Sequence, residues 1–327
     1  MSSNILFAAE HIKKWFPVKG SLFSKEHKYV KAVDDVSFSL VEGETLGIVG
    51  ESGCGKSTLI RVLLRLLAPT EGKVIFAGTE LTSLGQEELK QYRRNMQIVF
   101  QDPYAALNPR QKVGAMLSEP LIIHNLVASK EEALQQAANL LKTVGLPADA
   151  ITKYPHEFSG GQRQRLCIAR ALAMKPKLLV CDESVSALDV SIQAQIINLL
   201  MKLQREMQLT IIFVSHDLRV IKHIATHVAV MYLGKFVEYG SSAEVFANPQ
   251  HPYTKALLSA IPIANPEAEK KPIVLQGDIP SPIDVPSGCA FHSRCFMNKK
   301  ECSQLAISME QCGQDHWSAC PFRQEMK

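Results

Sequence analysis

Eight residues, GESGCGKS from Gly50 to Ser57, combine three glycines, a lysine and a hydroxyl. The order fits G-x-x-x-x-G-K-[ST], in which glycine backbone lets successive N–H groups aim into one hollow. A helix starting there adds positive potential, so the hollow suits a triphosphate. The candidate lining runs through Gly50, Glu51, Ser52, Gly53, Cys54, Gly55, Lys56, Ser57 and Thr58. Lys56 would reach the β and γ phosphates and Ser57 would ligate Mg²⁺. Cys54 stands beside a lysine and a helix start, surroundings that lower a thiol pKa, so it is expected to be reactive, with a bound triphosphate protecting it. Taken alone, the octapeptide could also be a glycine-rich turn with a surface lysine.

Two further stretches carry chemistry. KLLVCDE (Lys177 to Glu183) ends an apolar run with adjacent carboxylates. Successive side chains on a strand point opposite ways, so the two can take different tasks: Asp182 in the Mg²⁺ shell, Glu183 as general base on water. FSGGQRQR (Phe158 to Arg165) is a second glycine-bearing helix start, with Ser159 as N-cap of a helix. The tail carries Cys289, Cys295, Cys302 and Cys320 spaced C-x₅-C-x₆-C-x₁₇-C, with Cys312 between the last two. In a reducing compartment such a group points to metal before disulfides; the gaps are longer than the pairs of zinc ribbons, and Fe–S sites also take four thiolates.

The elements that would position these residues follow from hydrophobic period. Val36, Phe38 and Leu40 alternate as in a half-buried strand, and TLGIVG (Thr45 to Gly50) is a continuous apolar run ending in the glycine loop. STLIRVLLRLL then predicts a helix closed by Pro69. Buried runs recur at KLLVCDE and TIIFVSH (Thr210 to His216), with a helical pattern at Ile192, Ile196, Leu199 and Leu203 between them. Such alternation predicts an α/β fold with a parallel sheet. Residues from about 102 to 160 have helical patterns without buried strands, an inserted helical subdomain. Beyond about residue 240 the chain turns rich in Pro, Ser and Cys, as in IPIANPEAEKKP, which sets expected domains at 1–240 and 241–327. That tail is so poor in apolar periodicity that a metal or a partner would help it fold.

The 327 residues are 46% apolar and 21% charged with a formal charge of +4, the composition of an ordinary globular protein without the basic, aromatic patch of a nucleic-acid module. No run reaches the length of a membrane span and the N-terminus lacks a signal-peptide core, so a cytoplasmic location is expected.

The motifs together resemble the ABC ATPase family. SGGQ (Ser159, Gly160, Gly161, Gln162) is similar to its signature, Gln101 in VFQDPYAALNPR to its Q-loop glutamine, SALD ending at Asp189 to its D-loop, and His216 to its switch histidine. The resemblance implies a P-loop NTPase core with an antiparallel β subdomain, ATP as substrate and Mg²⁺ held by Ser57, Asp182 and Gln101. It implies that Glu183, His216 and Gln101 serve hydrolysis, and that two ATPase domains pack head to tail so that the signature acts in trans. Phe16 is the expected adenine contact, with Trp15 and Tyr29 as alternatives. Ser184 departs from the family, which usually has proline there.

The tail, with NPQHPYTKALLSAIP and GDIPSPIDVPSGCAFHSRC, resembles the extension of ATPase subunits from dipeptide and oligopeptide ABC importers, and VKAVDDVSF, QDPYAALNPR and SALDVSIQAQIINLL look like that branch, particularly its second, F-type subunit. That implies a related ATPase as partner in a heterodimer, two permease subunits, a peptide-binding protein outside, and peripheral attachment at the cytoplasmic face of the membrane. It also implies a [4Fe–4S] cluster at the four cysteines, with Zn²⁺ or unliganded thiols as alternatives and Cys312 able to replace one of the four. Nickel chelates or haem remain open as substrates. ABC ATPases of DNA repair or translation are a different class, and the single cassette without coiled-coil insertions argues against them.

Overall fold

The structure, a computed structural model, describes residues 4–18, 28–261 and 272–326. Part of the proline-rich stretch, residues 262–271, lies outside them. In chain order the first elements are β1 (Ile5–Pro17), β2 (Tyr29–Val41), β3 (Thr45–Val49), α1 (Lys56–Leu63), β4 (Glu71–Phe76), β5 (Thr79–Glu80), α2 (Gln86–Arg93) and β6 (Met96–Val99). There follow α3 (Pro103–Ala106), α4 (Val113–Ile123), α5 (Lys130–Thr143), α6 (Gly160–Leu172), β7 (Leu178–Asp182), α7 (Val190–Met207) and β8 (Thr210–Val214). The last are α8 (Leu218–Ile224), β9 (His227–Tyr232), β10 (Lys235–Ser241), α9 (Ser242–Ala247), α10 (Pro252–Ser259), β11 (Glu310–Gly313) and β12 (His316–Ser318). They form two compact units, residues 1–83 with 215–327, and residues 84–214.

In the first unit β2, β1, β4 and β5 make an antiparallel sheet. Its period is visible in β2, where Val33, Val36, Phe38 and Leu40 are buried and Ser37 and Ser39 are exposed. A second run of strands follows the order β11-β12-β10-β9-β3. Only β3 and β9 pair in parallel there, and every residue of β3 is buried, as a strand covered on both faces requires. The tail takes part in this sheet, because β12 pairs with β10 from Glu238 opposite Ser318 to Gly240 opposite His316. The fully buried Glu238 carboxylate pins it further, accepting from Gln250 N–H at 2.6 Å and His251 N–H at 2.9 Å and meeting His316 Nε2 at 2.7 Å. A buried charge needs such a shell. The tail therefore has a source of order other than a metal.

In the second unit β8, β7 and β6 run parallel, with β7 and β8 wholly buried. Helices α3 to α6 lie between residues 103 and 172. The repeat Ala133, Ala137, Leu141 buries one stripe of α5, and Ser129 Oγ caps it by accepting Glu132 N–H at 3.1 Å.

One predicted end moves. The helix after the glycine loop stops at Leu63, well before Pro69. Arg65 turns left-handed at φ 53, and the N–H groups of Leu66 and Leu67 donate back to the Arg61 carbonyl at 2.8 and 3.0 Å. The helix closes on its own carbonyls, so proline is not the terminator.

Candidate functional site

Strand β3 feeds the glycine loop, whose shape depends on close backbone approach. A Cβ at Gly50 would collide with the Met231 carbonyl oxygen, and one at Gly55 with that of Ala32. Gly55 also has φ 108, a conformation that L side chains rarely adopt. It is the N-cap residue of α1, and no side chain caps that helix. Lys56 Nζ donates to the carbonyls of Gly50 at 2.8 Å and Glu51 at 3.0 Å, which hold the ammonium over the loop. Ser52, Gly53 and Ser57 are exposed and Thr58 is half-buried. The loop can thus present backbone dipoles, a helix start and an ammonium to an anion.

Cys54 corrects the sequence expectation. Its side chain is buried, and burial pushes the thiol up, only partly offset by Lys56 Nζ at 3.8 Å. Proximity to a lysine and a helix start is legible in sequence; the cover over the sulfur is not.

His216 follows β8 and is exposed. Its neighbour Ser215 donates its N–H to the Ile48 carbonyl of β3 at 3.2 Å, tying the histidine to the strand that enters the glycine loop. Phe16 and Trp15 lie half-buried on β1. Lys14 Nζ stands 5.1 Å from the Phe16 ring, whereas Trp15 has Lys13 and Lys31 near its face and donates Nε1–H to Asp34 at 3.2 Å. Of the two, Trp15 is the more committed to contacts within the chain.

In the second unit Asp182 ends β7, buried, and Glu183 leaves the strand at φ 45. A left-handed glutamate is strained, and the neighbours hold it there. Its N–H donates to the Val214 carbonyl at 3.1 Å, and its carbonyl accepts from Ser186 N–H at 3.1 Å and Ser186 Oγ at 2.9 Å. Gln101 Nε2 donates to the Glu183 carboxylate at 3.0 Å, joining residues 82 positions apart. Ser184, at the departure from the family pattern, is buried.

The signature stretch opens α6 with a capping box. Ser159 Oγ accepts Gln162 N–H at 3.4 Å, and Gln162 Oε1 accepts Ser159 N–H at 3.0 Å. Gly160 and Gly161 form the first turn of α6. Asp189 is exposed at the N-cap position of α7, where its side chain makes no cap hydrogen bond.

Cys289, Cys295, Cys302 and Cys320 line one cavity together with His251, Phe291 and His292. Cys312 is not in that lining; its Sγ donates to the His316 carbonyl at 3.4 Å between β11 and β12. Burial pushes the thiols of Cys289 and Cys295 up to about 11. Among the described residues no three His, Cys, Asp or Glu side chains are arranged to hold a metal ion. The four sulfurs share a cavity, but as placed they do not form a coordination shell, and the expected cluster or zinc gains no support from geometry.

Sequence reasoning missed Tyr253 and Arg294. Tyr253 Oη accepts the N–H of Glu51 at 2.9 Å, and the Arg294 guanidinium forms a two-pronged bridge to the Glu51 carboxylate at 2.7 and 3.1 Å. They lie 202 and 243 positions from Glu51, and no local pattern marks them.

The ABC transporter family pattern matches residues 33–186, and the pattern described as oligopeptide/dipeptide transporter, C-terminal region, matches 237–302. The chain is 50% identical to oligopeptide transport ATP-binding protein AppF of Bacillus subtilis over 94% of both chains. It is 49% identical to dipeptide transport ATP-binding protein DppF of Escherichia coli K12, over 94% of this chain and 92% of that one. Among solved structures, the dimeric post-hydrolysis state of the ATP-binding cassette MJ0796, bound to ADP and Pi, superposes with a TM-score of 0.64 at 30% identity. That match covers 72% of this chain and 99% of the other.

Proposed function

This chain belongs to the ATP-binding subunits of oligopeptide and dipeptide ABC transporters, and from that premise we propose that it hydrolyses ATP to power peptide import through a membrane permease. The observation that carries the ATPase reading is the loop around Gly55, a helix start with no side-chain cap and with Lys56 held above it.

In this reading the backbone from Gly50 to Thr58 cradles the phosphates and Lys56 balances their charge. Ser57, Asp182 and Gln101 each carry an oxygen donor of the hard kind that Mg²⁺ prefers and would hold it, and the ion would supply charge to offset that of the phosphates. Glu183, kept in place by Gln101 and Ser186, takes a proton from the attacking water, the water oxygen bonds to the γ phosphorus, and the bond to ADP breaks. His216 orients the γ-phosphate and the water. Phe16 stacks on adenine. Ser159, Gly160, Gly161 and Gln162, with Asp189, act across a pair of ATPase subunits; the dimeric neighbour supports pairing, and the F-type likeness of VKAVDDVSF, QDPYAALNPR and SALDVSIQAQIINLL supports a related second subunit over a copy of this chain.

Among the described residues no helix is long and apolar enough to cross a membrane, in keeping with a subunit that attaches peripherally, at the cytoplasmic face, to two permease subunits fed by a peptide-binding protein. The cysteine cavity remains a candidate site for a [4Fe–4S] cluster or zinc, and no step runs through it; iron, sulfide and zinc content of anaerobically purified protein decides, and a metal-free chain would reject it.

Glu183→Gln tests the mechanism. Loss of the base should lower ATP turnover by on the order of 10² while ATP binding persists, and peptide uptake by the reconstituted transporter should fall in parallel. Unchanged turnover would remove Glu183 from its role, and uptake that ignores the variant would uncouple this chain from transport.

A further inference from the structure

Glu51, the second residue of the glycine loop, is held on three sides. Its carbonyl accepts from Lys56 Nζ at 3.0 Å, within the loop. The other two holds come from the C-terminal part of the same unit. Tyr253 Oη on α10 accepts its N–H, and Arg294 grips its carboxylate through two nitrogens. The arginine side chain is 8% exposed and the glutamate 26%, so water screens this pair less than one on the open surface. Hydrogen bonding to Glu51 leads in raising the Arg294 pKa, which keeps the guanidinium charged.

The grip is braced from behind. The Arg294 guanidinium lies 6.0 Å from the Tyr232 ring centre; Tyr232 meets Tyr253 edge-on at 4.8 Å and Phe291 at 5.3 Å. Tyr232, Tyr253 and Phe291 are almost wholly buried. Arg294 itself ends the tight turn His292–Arg294, whose hydrogen bonds run from Arg294 N–H to the Phe291 carbonyl at 3.0 Å and from Cys295 N–H to the His292 carbonyl at 3.2 Å. Phe291, His292 and Cys295 also line the cysteine cavity. One short turn therefore forms a wall of that cavity and the clamp on the loop.

We propose that Arg294 and Tyr253 are positioning residues for nucleotide binding, through which the C-terminal extension sets the conformation of the phosphate loop. The proposal rests on the phosphate-loop reading above. Neither residue belongs to the phosphate loop. They act by fixing the carboxylate and the peptide of Glu51, where the chain turns from β3 toward Gly53. Without them the loop must spend binding energy on ordering itself, and affinity falls.

The test is Mg-ATP titration of the full chain, with a thermal melt of each variant and kinetics in the reconstituted transporter. Arg294→Gln should weaken Mg-ATP binding by roughly tenfold and raise KM far more than it lowers kcat. Arg294→Lys keeps the charge but loses the fork, and should recover only part of the affinity. Tyr253→Phe keeps the ring and should lose about threefold, the scale of one neutral hydrogen bond. The double variant Glu51→Gln with Arg294→Gln should bind no worse than Arg294→Gln alone, since the pair acts as a unit. Wild-type affinity in a folded Arg294→Gln chain, or additive losses in the double variant, would overturn the proposal. A wild-type chain that binds no Mg-ATP would instead overturn the phosphate-loop reading itself.

Discussion

Helices α1 and α6 both begin at glycines, and they begin differently. At α1 the cap is Gly55, left-handed, with no side chain bonded to the helix start and an ammonium held nearby. At α6 the cap is Ser159, locked with Gln162 into a reciprocal box. The first start leaves an anion to complete it; the second is completed by its own side chains. The same glycine content therefore serves two tasks. Glycine at α1 is needed because backbone from β2 and from the end of β9 crowds the loop, whereas at α6 a serine cap settles the geometry before any ligand arrives.

That contrast can be broken by substitution. The largest expected effect is at Gly55→Ala, which must carry a left-handed alanine against the Ala32 carbonyl; Mg-ATP affinity should fall at least about tenfold. Ser159→Ala should leave the affinity of the isolated chain within about twofold, and equal losses in the two variants would erase the distinction. The same Ser159→Ala variant sharpens the comparison in stability, costing about 1 kcal/mol in denaturant unfolding as a lost cap. No loss would mean that the box carries little weight. The smallest effect concerns Cys54 inside the α1 loop. Its folded thiol is pushed above the ordinary value by burial, so less thiolate is present at pH 8 than in the unfolded chain, and maleimide labelling of the native protein should be slower than in denaturant. Labelling as fast as in denaturant would restore the reactive cysteine that the local sequence suggests.

How much was legible follows from distance along the chain. β3, the glycine loop and α1 are contiguous, and both the apolar run and the glycine spacing express local needs, so they read directly. Ser159 reads as a cap for the same reason, since its partner Gln162 is three residues away. The Glu183 carboxylate was visible as a strand end, but its bond to Gln101 was not, and neither was its left-handed backbone. The tail misled by composition: low apolar periodicity concealed β11 and β12, whose order comes from pairing with β10 and from the Glu238–His316 contact.

The sequence by itself determined which atoms are available for phosphate chemistry, because a phosphate loop, an acidic strand end and a capped helix start are each built within a few residues. Tertiary structure alone decided the state of those atoms. It buried the Cys54 thiol, placed Gln101 on Glu183, and brought Arg294 across 243 positions to hold Glu51. Local motifs are set by backbone geometry over one or two turns, whereas burial and long-range ion pairing depend on which distant surfaces the fold presses together, and no short pattern encodes that.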